Sequence, residues 1–175
     1  GLIHSFFRAP VLEGCCRYYP NVLEARKNEW ISPIIFSLRD LGSEELRGGV
    51  ELGRRALEAL GMETGFTHME WFRTPEGEAV FGEVACRAPG ASMVDLMNYA
   101  GDVDLFVEWA RAVQQGTVEA PRENPYNAAI VFKRARGSGR IAAVEGLDVF
   151  QAAHGHHIAR VQLLPIGAPR RDWQQ

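Results

Sequence analysis

Lysine and cysteine are both scarce in this chain of 175 residues. Two of the 19 basic residues are lysines, Lys27 and Lys133, which excludes chemistry that requires several lysines. The three cysteines, Cys15, Cys16 and Cys86, have no metal-type spacing. Their odd number fits a reducing cytosol better than a disulfide framework. We therefore expect a cytoplasmic protein.

Long apolar runs and an excess of positive charge are also absent. No run approaches the roughly 20 apolar residues that a membrane helix needs, and residues 1–10 lack a signal-peptide pattern. The formal net charge of −3 gives no electrostatic basis for binding nucleic acid or an anionic membrane. A hydrophobic content of 46% is typical of a soluble protein with a packed core. We expect neither a nucleic-acid partner nor a membrane partner.

Strand-like and helix-like patterns alternate along the chain without a regular βαβ rhythm. The predicted elements are strands over residues 2–8 and 31–39, a helix over 43–61, a hairpin within 67–90, two short helices over 92–116, strands over 126–134, 140–146 and 157–165, and a helix over 147–153. Residues 9–21 are predicted to be a loop, and Asp102 to cap the second short helix. This order predicts an α+β fold with a mainly antiparallel sheet covered by helices on one face.

The polar, proline-bearing segment 117–125 is the best candidate for a domain boundary. It divides the chain into a larger unit, residues 1–120, which carries the hairpin, and a small β-rich unit, residues 121–175. The sequence contains no internal repeat and no low-complexity tract.

Two glutamates of the hairpin, Glu70 and Glu83, are predicted to lie on facing strands. If residues 75–78 form the loop, Thr74 pairs with Ala79 and the two glutamates are directly opposite each other. Their β-carbons are then about 4.5–5.5 Å apart, and like charges at that spacing destabilise a hairpin. A divalent cation between the carboxylates offsets the repulsion, and their oxygen ligands suit Mg²⁺.

The alternating pattern also predicts which side chains share a face with each glutamate. His68 and Phe72 share the face of Glu70, whereas Phe81, Ala85 and Arg87 share the face of Glu83. Arg87 leads into a turn that opens a helix, and this is a favourable setting for phosphate. The competing interpretation places both glutamates in solvent. The apolar and aromatic neighbours on both strands favour the metal site, because such a face is not wet throughout.

Residues 65–90, with the flanking segments 52–65 and 93–113, resemble the metal-binding hairpin region of the ATP-grasp superfamily. The resemblance is closest to the carboxylate–amine ligase branch related to L-amino acid ligases and the large chain of carbamoyl phosphate synthase. It extends over residues 31–116, and it is weaker before and after them.

The resemblance implies a fold, a reaction and a role for four residues. The fold would be the C-terminal lobe of an ATP-grasp enzyme. Glu70 and Glu83 would hold the Mg²⁺ or Mn²⁺ that bridges the ATP phosphates, and Phe72 would pack on the adenine. Arg87 would stabilise an acyl phosphate. The reaction would join a small carboxylate, such as an amino acid, to an amine or a thiol.

The sequence departs from the superfamily pattern in two places. Ala85 occupies a position where many members have an asparagine metal ligand, so that a water replaces this ligand or the metal affinity is reduced. The superfamily's glycine-rich phosphate flap and its ATP-contacting lysines have no equivalent here, which predicts a half-site that needs an N-terminal lobe or a homo-oligomeric partner. Two alternatives stay open: a catalytically degenerate nucleotide- or metal-binding module, and a plain α+β interaction domain.

Overall fold

The computed structural model describes residues 13–63, 65–119 and 124–171 of the chain. The elements in this part are β1 (Cys15–Tyr19), α1 (Val22–Lys27), β2 (Ile34–Leu38), α2 (Glu44–Ala59), β3 (His68–Arg73), β4 (Ala79–Ala85), α3 (Met93–Gly101), α4 (Leu105–Gln115), β5 (Ala129–Val131), α5 (Leu147–His154) and a 3-10 turn (Gly155–His157). The predicted strand over residues 2–8 lies outside the described residues. No helix in the described part is long and apolar enough to cross a membrane.

The strands form two antiparallel sheets, one with the order β1-β2-β5 and the other with the pair β3-β4. The α+β prediction with mainly antiparallel pairing is therefore confirmed. The loop predicted over residues 9–21 is wrong for β1, which pairs with all of β2. Gly14 and Pro20, which suggested turns, flank this strand and do not interrupt it.

Both faces of the three-stranded sheet are covered, which corrects the expectation of helices on one face. Cys16 and Ile35 face a first core, which they form with buried side chains of α3 and α4. Cys15 faces a second core, together with buried side chains of α2 and β3. The two cysteines are adjacent in β1 and point to opposite faces because side chains alternate along a strand. The sheet therefore separates two apolar cores.

Helix α2 lies on the outer side of the second core and packs directly on the hairpin. It begins after Ser43, whose backbone oxygen accepts the amide of Leu46 at 3.0 Å, while the serine side chain makes no cap bond. The helix ends as predicted before Gly61, which has φ of 64°. A Cβ at Gly49 would lie 1.8 Å from the Trp71 ring, so only glycine permits this close approach.

The two short helices are formed, but their caps differ from the prediction. The N-cap of α4 is Asp104, whose carboxylate accepts the amides of Phe106 and Val107 at 3.0 and 3.2 Å. Asp102, the predicted cap, ends α3 with φ of 49°. The two aspartates are two residues apart, and both precede the apolar run, so the pattern did not separate them. Gly116 ends α4 with φ of 68°, as predicted.

The C-terminal part contains fewer strands than the sequence suggests. The run over 126–134 contains β5, which pairs with β2, and α5 is formed over the expected residues. The runs over 140–146 and 157–165 form no strand among the described residues, apart from a single bridge between Arg140 and Pro169. Both runs have a strand-like pattern, but no strand in the described part of the chain pairs with either of them. The division at residue 120 stays a prediction.

Candidate functional site

The hairpin β3-β4 brings Glu70 and Glu83 directly opposite each other, as the sequence predicted. The loop, however, is shifted by one position, because Arg73 and not Thr74 pairs with Ala79. A regular ladder from that pair would place Gly82 opposite Glu70 and would turn Glu83 to the other face. A β-bulge at Gly82 restores the pairing of the two glutamates.

Close packing at the bulge explains why a glycine occupies position 82. A Cβ at Gly82 would lie 2.8 Å from the backbone oxygen of Glu70 and 3.2 Å from the Phe72 ring. The bulge also changes the faces of β4. Phe81 pairs with Trp71 and therefore shares the face of the second core, whereas the sequence placed Phe81 with Glu83. The prediction for Phe81 is wrong because a bulge resets the alternation.

Glu70 lies at the border between the core and solvent. Its side chain is 28% exposed, and its Oε1 atom lies 3.9 Å from Nε2 of His68, which is buried. Burial lowers the pKa of His68; Glu70 and Glu83 oppose this change, and Arg87 adds to it. Burial raises the pKa of Tyr18, and Glu70 raises it further. Glu70 is thus close enough to His68 and Tyr18 to affect their pKa values.

Glu83, Phe72 and Arg87 are exposed. The Glu83 side chain makes no hydrogen bond or ion pair with any residue that the structure describes. Phe72 is 42% exposed and lies on the face of Glu70, beside the bulge. Arg87 lies two residues beyond β4, and its Nη1 atom donates to the backbone oxygen of Ala88 at 2.9 Å. The facing glutamates therefore lie in the middle of the ladder, with Phe72 on the side of the loop and Arg87 beyond the open end.

The facing carboxylates fit a divalent cation. Two facing carboxylates supply hard oxygen ligands, which suit Mg²⁺ and Mn²⁺. Neither carboxylate has an arginine or lysine ion pair among the described residues, so their mutual repulsion is not otherwise neutralised. The described residues contain no cluster of three or more His, Cys, Asp or Glu side chains that could hold a metal, so further ligands would be water or phosphate oxygens.

Two neighbours of the site were not identified as functional from the sequence. Tyr18 lies in the strand that was predicted as a loop, so its position near Glu70 could not be foreseen. His68 was predicted on the face of Glu70, but its burial was not predicted. The apolar residues around it in the strand could have indicated that burial.

The comparisons with known proteins show the fold. The structure resembles the crystal structure of an L-amino acid ligase from Bacillus licheniformis, with a TM-score of 0.73 and 14% sequence identity. The match covers 99% of this chain and 44% of that ligase, so the chain spans less than half of its length. No family model and no curated protein matches. The chain shares the α+β fold of the matched part of that ligase, which confirms the fold expected from the sequence resemblance.

Proposed function

We propose that this chain is the C-terminal part of an ATP-dependent ligase that joins a small carboxylate to an amine or a thiol. The observation that carries the proposal is the facing of Glu70 and Glu83 on a bulged hairpin, within a fold shared with a ligase. Mg²⁺ or Mn²⁺ and ATP would be the cofactors, and an amino acid is the substrate class suggested by the structural neighbour.

The two glutamates would hold the cation from two adjacent strands. A bound Mg²⁺ would neutralise charge on the ATP phosphates and position them for transfer to the carboxylate. Glu70 is partly buried and would provide the more rigid ligand, whereas Glu83 is exposed and would approach from the solvent side. The Gly82 backbone lies so close to Glu70 that an added Cβ would come within 2.8 Å of the Glu70 backbone oxygen. The pair would therefore present its carboxylates from hydrogen-bonded strands and not from a loop.

Arg87 and Phe72 would act on the two ends of the nucleotide. The Arg87 guanidinium is exposed and makes one described hydrogen bond, to a neighbouring backbone oxygen, so it can turn toward a phosphoryl group. Its planar fork matches the oxygens of a transferred phosphoryl group or an acyl phosphate. The exposed ring of Phe72 offers an apolar surface for the adenine next to the carboxylates.

A calorimetric titration of the chain with Mg²⁺, with and without ATP, tests this proposal. Glu70→Gln and Glu83→Gln should each weaken binding at least about tenfold, which corresponds to about 1.4 kcal/mol. Glu76→Gln removes the same charge from the exposed loop of the same hairpin and is the matched control. The melting temperature of each site variant in chelator should not fall, since the substitution removes one of two repelling charges.

Two results would contradict the proposal. One is the absence of any divalent binding by the wild-type chain, even with ATP present. The other is an equal loss of affinity in Glu76→Gln, which would mean that the cation responds to the overall charge of the hairpin and not to the facing pair.

A second candidate function is a nucleotide- or metal-binding module without turnover. Ala85, opposite His68 in the hairpin, favours it because the alanine supplies no ligand oxygen at a position next to the glutamates. Both candidates predict the same binding data. Amino-acid-dependent release of ADP, measured together with the N-terminal lobe that the ligase proposal requires, would support the ligase.

A further inference from the structure

His68 is buried beside the carboxylate pair without a hydrogen-bond partner among the described residues. Its residue exposure is 5%, and both ring nitrogens are inaccessible and unpartnered. Buried polar side chains are nearly always hydrogen-bonded, and an unpaired one destabilises the folded state. A histidine that served only to fill the core would keep this cost without any return. We therefore expect a hydrogen-bond partner of the ring among the residues of the candidate site.

The nearest charged partner is the first glutamate of the pair. His68 and Glu70 lie on the same face of β3, and Nε2 of His68 is 3.9 Å from Oε1 of Glu70. A hydrogen bond between these groups needs about 2.7–3.2 Å. The imidazole is confined by its burial, whereas the Glu70 carboxylate is partly exposed. Of the two groups, the carboxylate is therefore the one with room to move toward the other.

We propose that His68 is a positioning residue for Glu70. Its Nε2–H donates to one carboxylate oxygen of Glu70 and thereby directs the other oxygen toward the cation. This inference rests on the proposed function, because it requires Glu70 to be a metal ligand. Neutral imidazole has one N–H, and a carboxylate on the Nε2 side selects the tautomer that carries the hydrogen there.

The geometry favours this role over direct coordination by His68. Mg²⁺ takes oxygen ligands, whereas imidazole nitrogen suits transition metals. Both ring nitrogens of His68 are inaccessible, whereas Glu83, opposite Glu70, is exposed. A cation that reaches the two carboxylates from solvent therefore does not meet the imidazole nitrogens. Carboxylates that bind metals are commonly held by such hydrogen bonds, and loss of one weakens metal binding about 10–100-fold.

Two unbranched substitutions of similar length separate a hydrogen-bond donor from a space-filling side chain. His68→Gln keeps an N–H near the position of Nε2, whereas His68→Met fills the same space without a donor. In calorimetric titrations of the chain with Mg²⁺, we expect His68→Met to bind about tenfold more weakly than wild type. His68→Gln should stay within about threefold of wild type. His154→Met, at an exposed histidine of α5, is the control and should leave the affinity unchanged.

A double-mutant cycle then tests whether His68 acts through Glu70. In a Glu70→Gln background, His68→Met should cause no further loss of affinity, because the oriented carboxylate is already gone. In a Glu83→Gln background, the loss caused by His68→Met should persist. An equal loss in both backgrounds would overturn the positioning role, and so would Ni²⁺ binding that is much tighter than Mg²⁺ binding and is abolished in His68→Gln.

The outcomes distinguish this inference from the proposed function. If Glu70→Gln and Glu83→Gln leave the Mg²⁺ affinity unchanged, the metal site itself is refuted, and the inference with it. If they weaken binding but His68→Met does not, His68 is a core residue and only the inference is overturned. Should His68→Met not fold, His68→Asn replaces it, because its N–H reaches only the position of Nδ1. Equal affinities of the Asn and Gln variants would then overturn the inference.

Discussion

Like charges at Glu70 and Glu83 face each other without an arginine or lysine ion pair among the described residues. Arg87 and the two glutamates are all close enough to His68 to affect its pKa. The Arg87 guanidinium nevertheless donates to a backbone oxygen and not to a glutamate. An evolved surface would more commonly pair such an arginine with a carboxylate. Carboxylates and a guanidinium that are not paired with each other are available to bind a ligand. Leaving them unpaired lowers the stability of the folded protein.

Arg87→Lys tests the role of the guanidinium at the residue scale. If Arg87 stabilises charge that develops on a transferred phosphoryl group, the lysine variant should lower kcat at least about tenfold and change the KM for ATP much less. Thermal stability should stay close to wild type, because the side chain is exposed. Steady-state kinetics together with the N-terminal lobe that we propose would measure both constants.

Arg73→Lys is the matched control, since Arg73 is an exposed arginine at the loop end of the same hairpin. Its kinetic constants should equal those of wild type. Wild-type turnover in the Arg87 variant would show that the fork geometry has no catalytic role, and a large loss of stability would mark the arginine as structural.

The hairpin shows how far the sequence could predict a site at the scale of an element. The facing of Glu70 and Glu83 was predicted correctly, although the predicted register at the loop was wrong by one residue. The bulge at Gly82 cancels that error. A glycine inside a strand pattern is a known signal for a bulge, and it stands in the sequence. Its effect on the register depends on contacts with Glu70 and Phe72 that only the folded hairpin shows.

Gly82→Ala tests the bulge directly. The added Cβ would lie 2.8 Å from the backbone oxygen of Glu70, which cannot move without disturbing the ladder. We expect a loss of about 1–3 kcal/mol in the free energy of unfolding, measured in urea, and weaker Mg²⁺ binding because Glu70 is displaced. Gly90→Ala is the control, since a Cβ there meets nothing within 4 Å. Equal stability of the two variants would contradict the tight bulge.

Other elements were missed because their partners are distant in the sequence. β1 has no β-branched residue and is flanked by turn residues, so its local pattern predicts a loop. It forms a strand because β2 pairs with it and because cores on both sides bury its cysteines. The runs over 140–146 and 157–165 show the opposite case, with a strand-like pattern but no strand paired to them within residues 13–63, 65–119 and 124–171. Tertiary pairing decided both outcomes.

At the scale of the whole molecule, β1 connects the two cores. Cys15 contributes to the core that supports the hairpin, and Cys16 to the core formed with α3 and α4. Both residues have no exposed surface. Burial raises the pKa of both thiols, that of Cys16 to about 12, so that little reactive thiolate is present near neutral pH. Cys86 is exposed beside the candidate site.

Thiol labelling therefore reports whether the two cores open together. With iodoacetamide, we expect Cys86 to react at least about a thousandfold faster than the other two cysteines, because they react only when the fold opens. Since the two buried thiols are adjacent in one strand, detachment of β1 exposes both, and their rates should be equal and rise in parallel with urea. Tandem mass spectrometry assigns each label, and Cys86→Ser removes the fast signal as a control. Rapid labelling of Cys15 or Cys16 would place β1 outside the core, and unequal rates would mean that one core opens without the other.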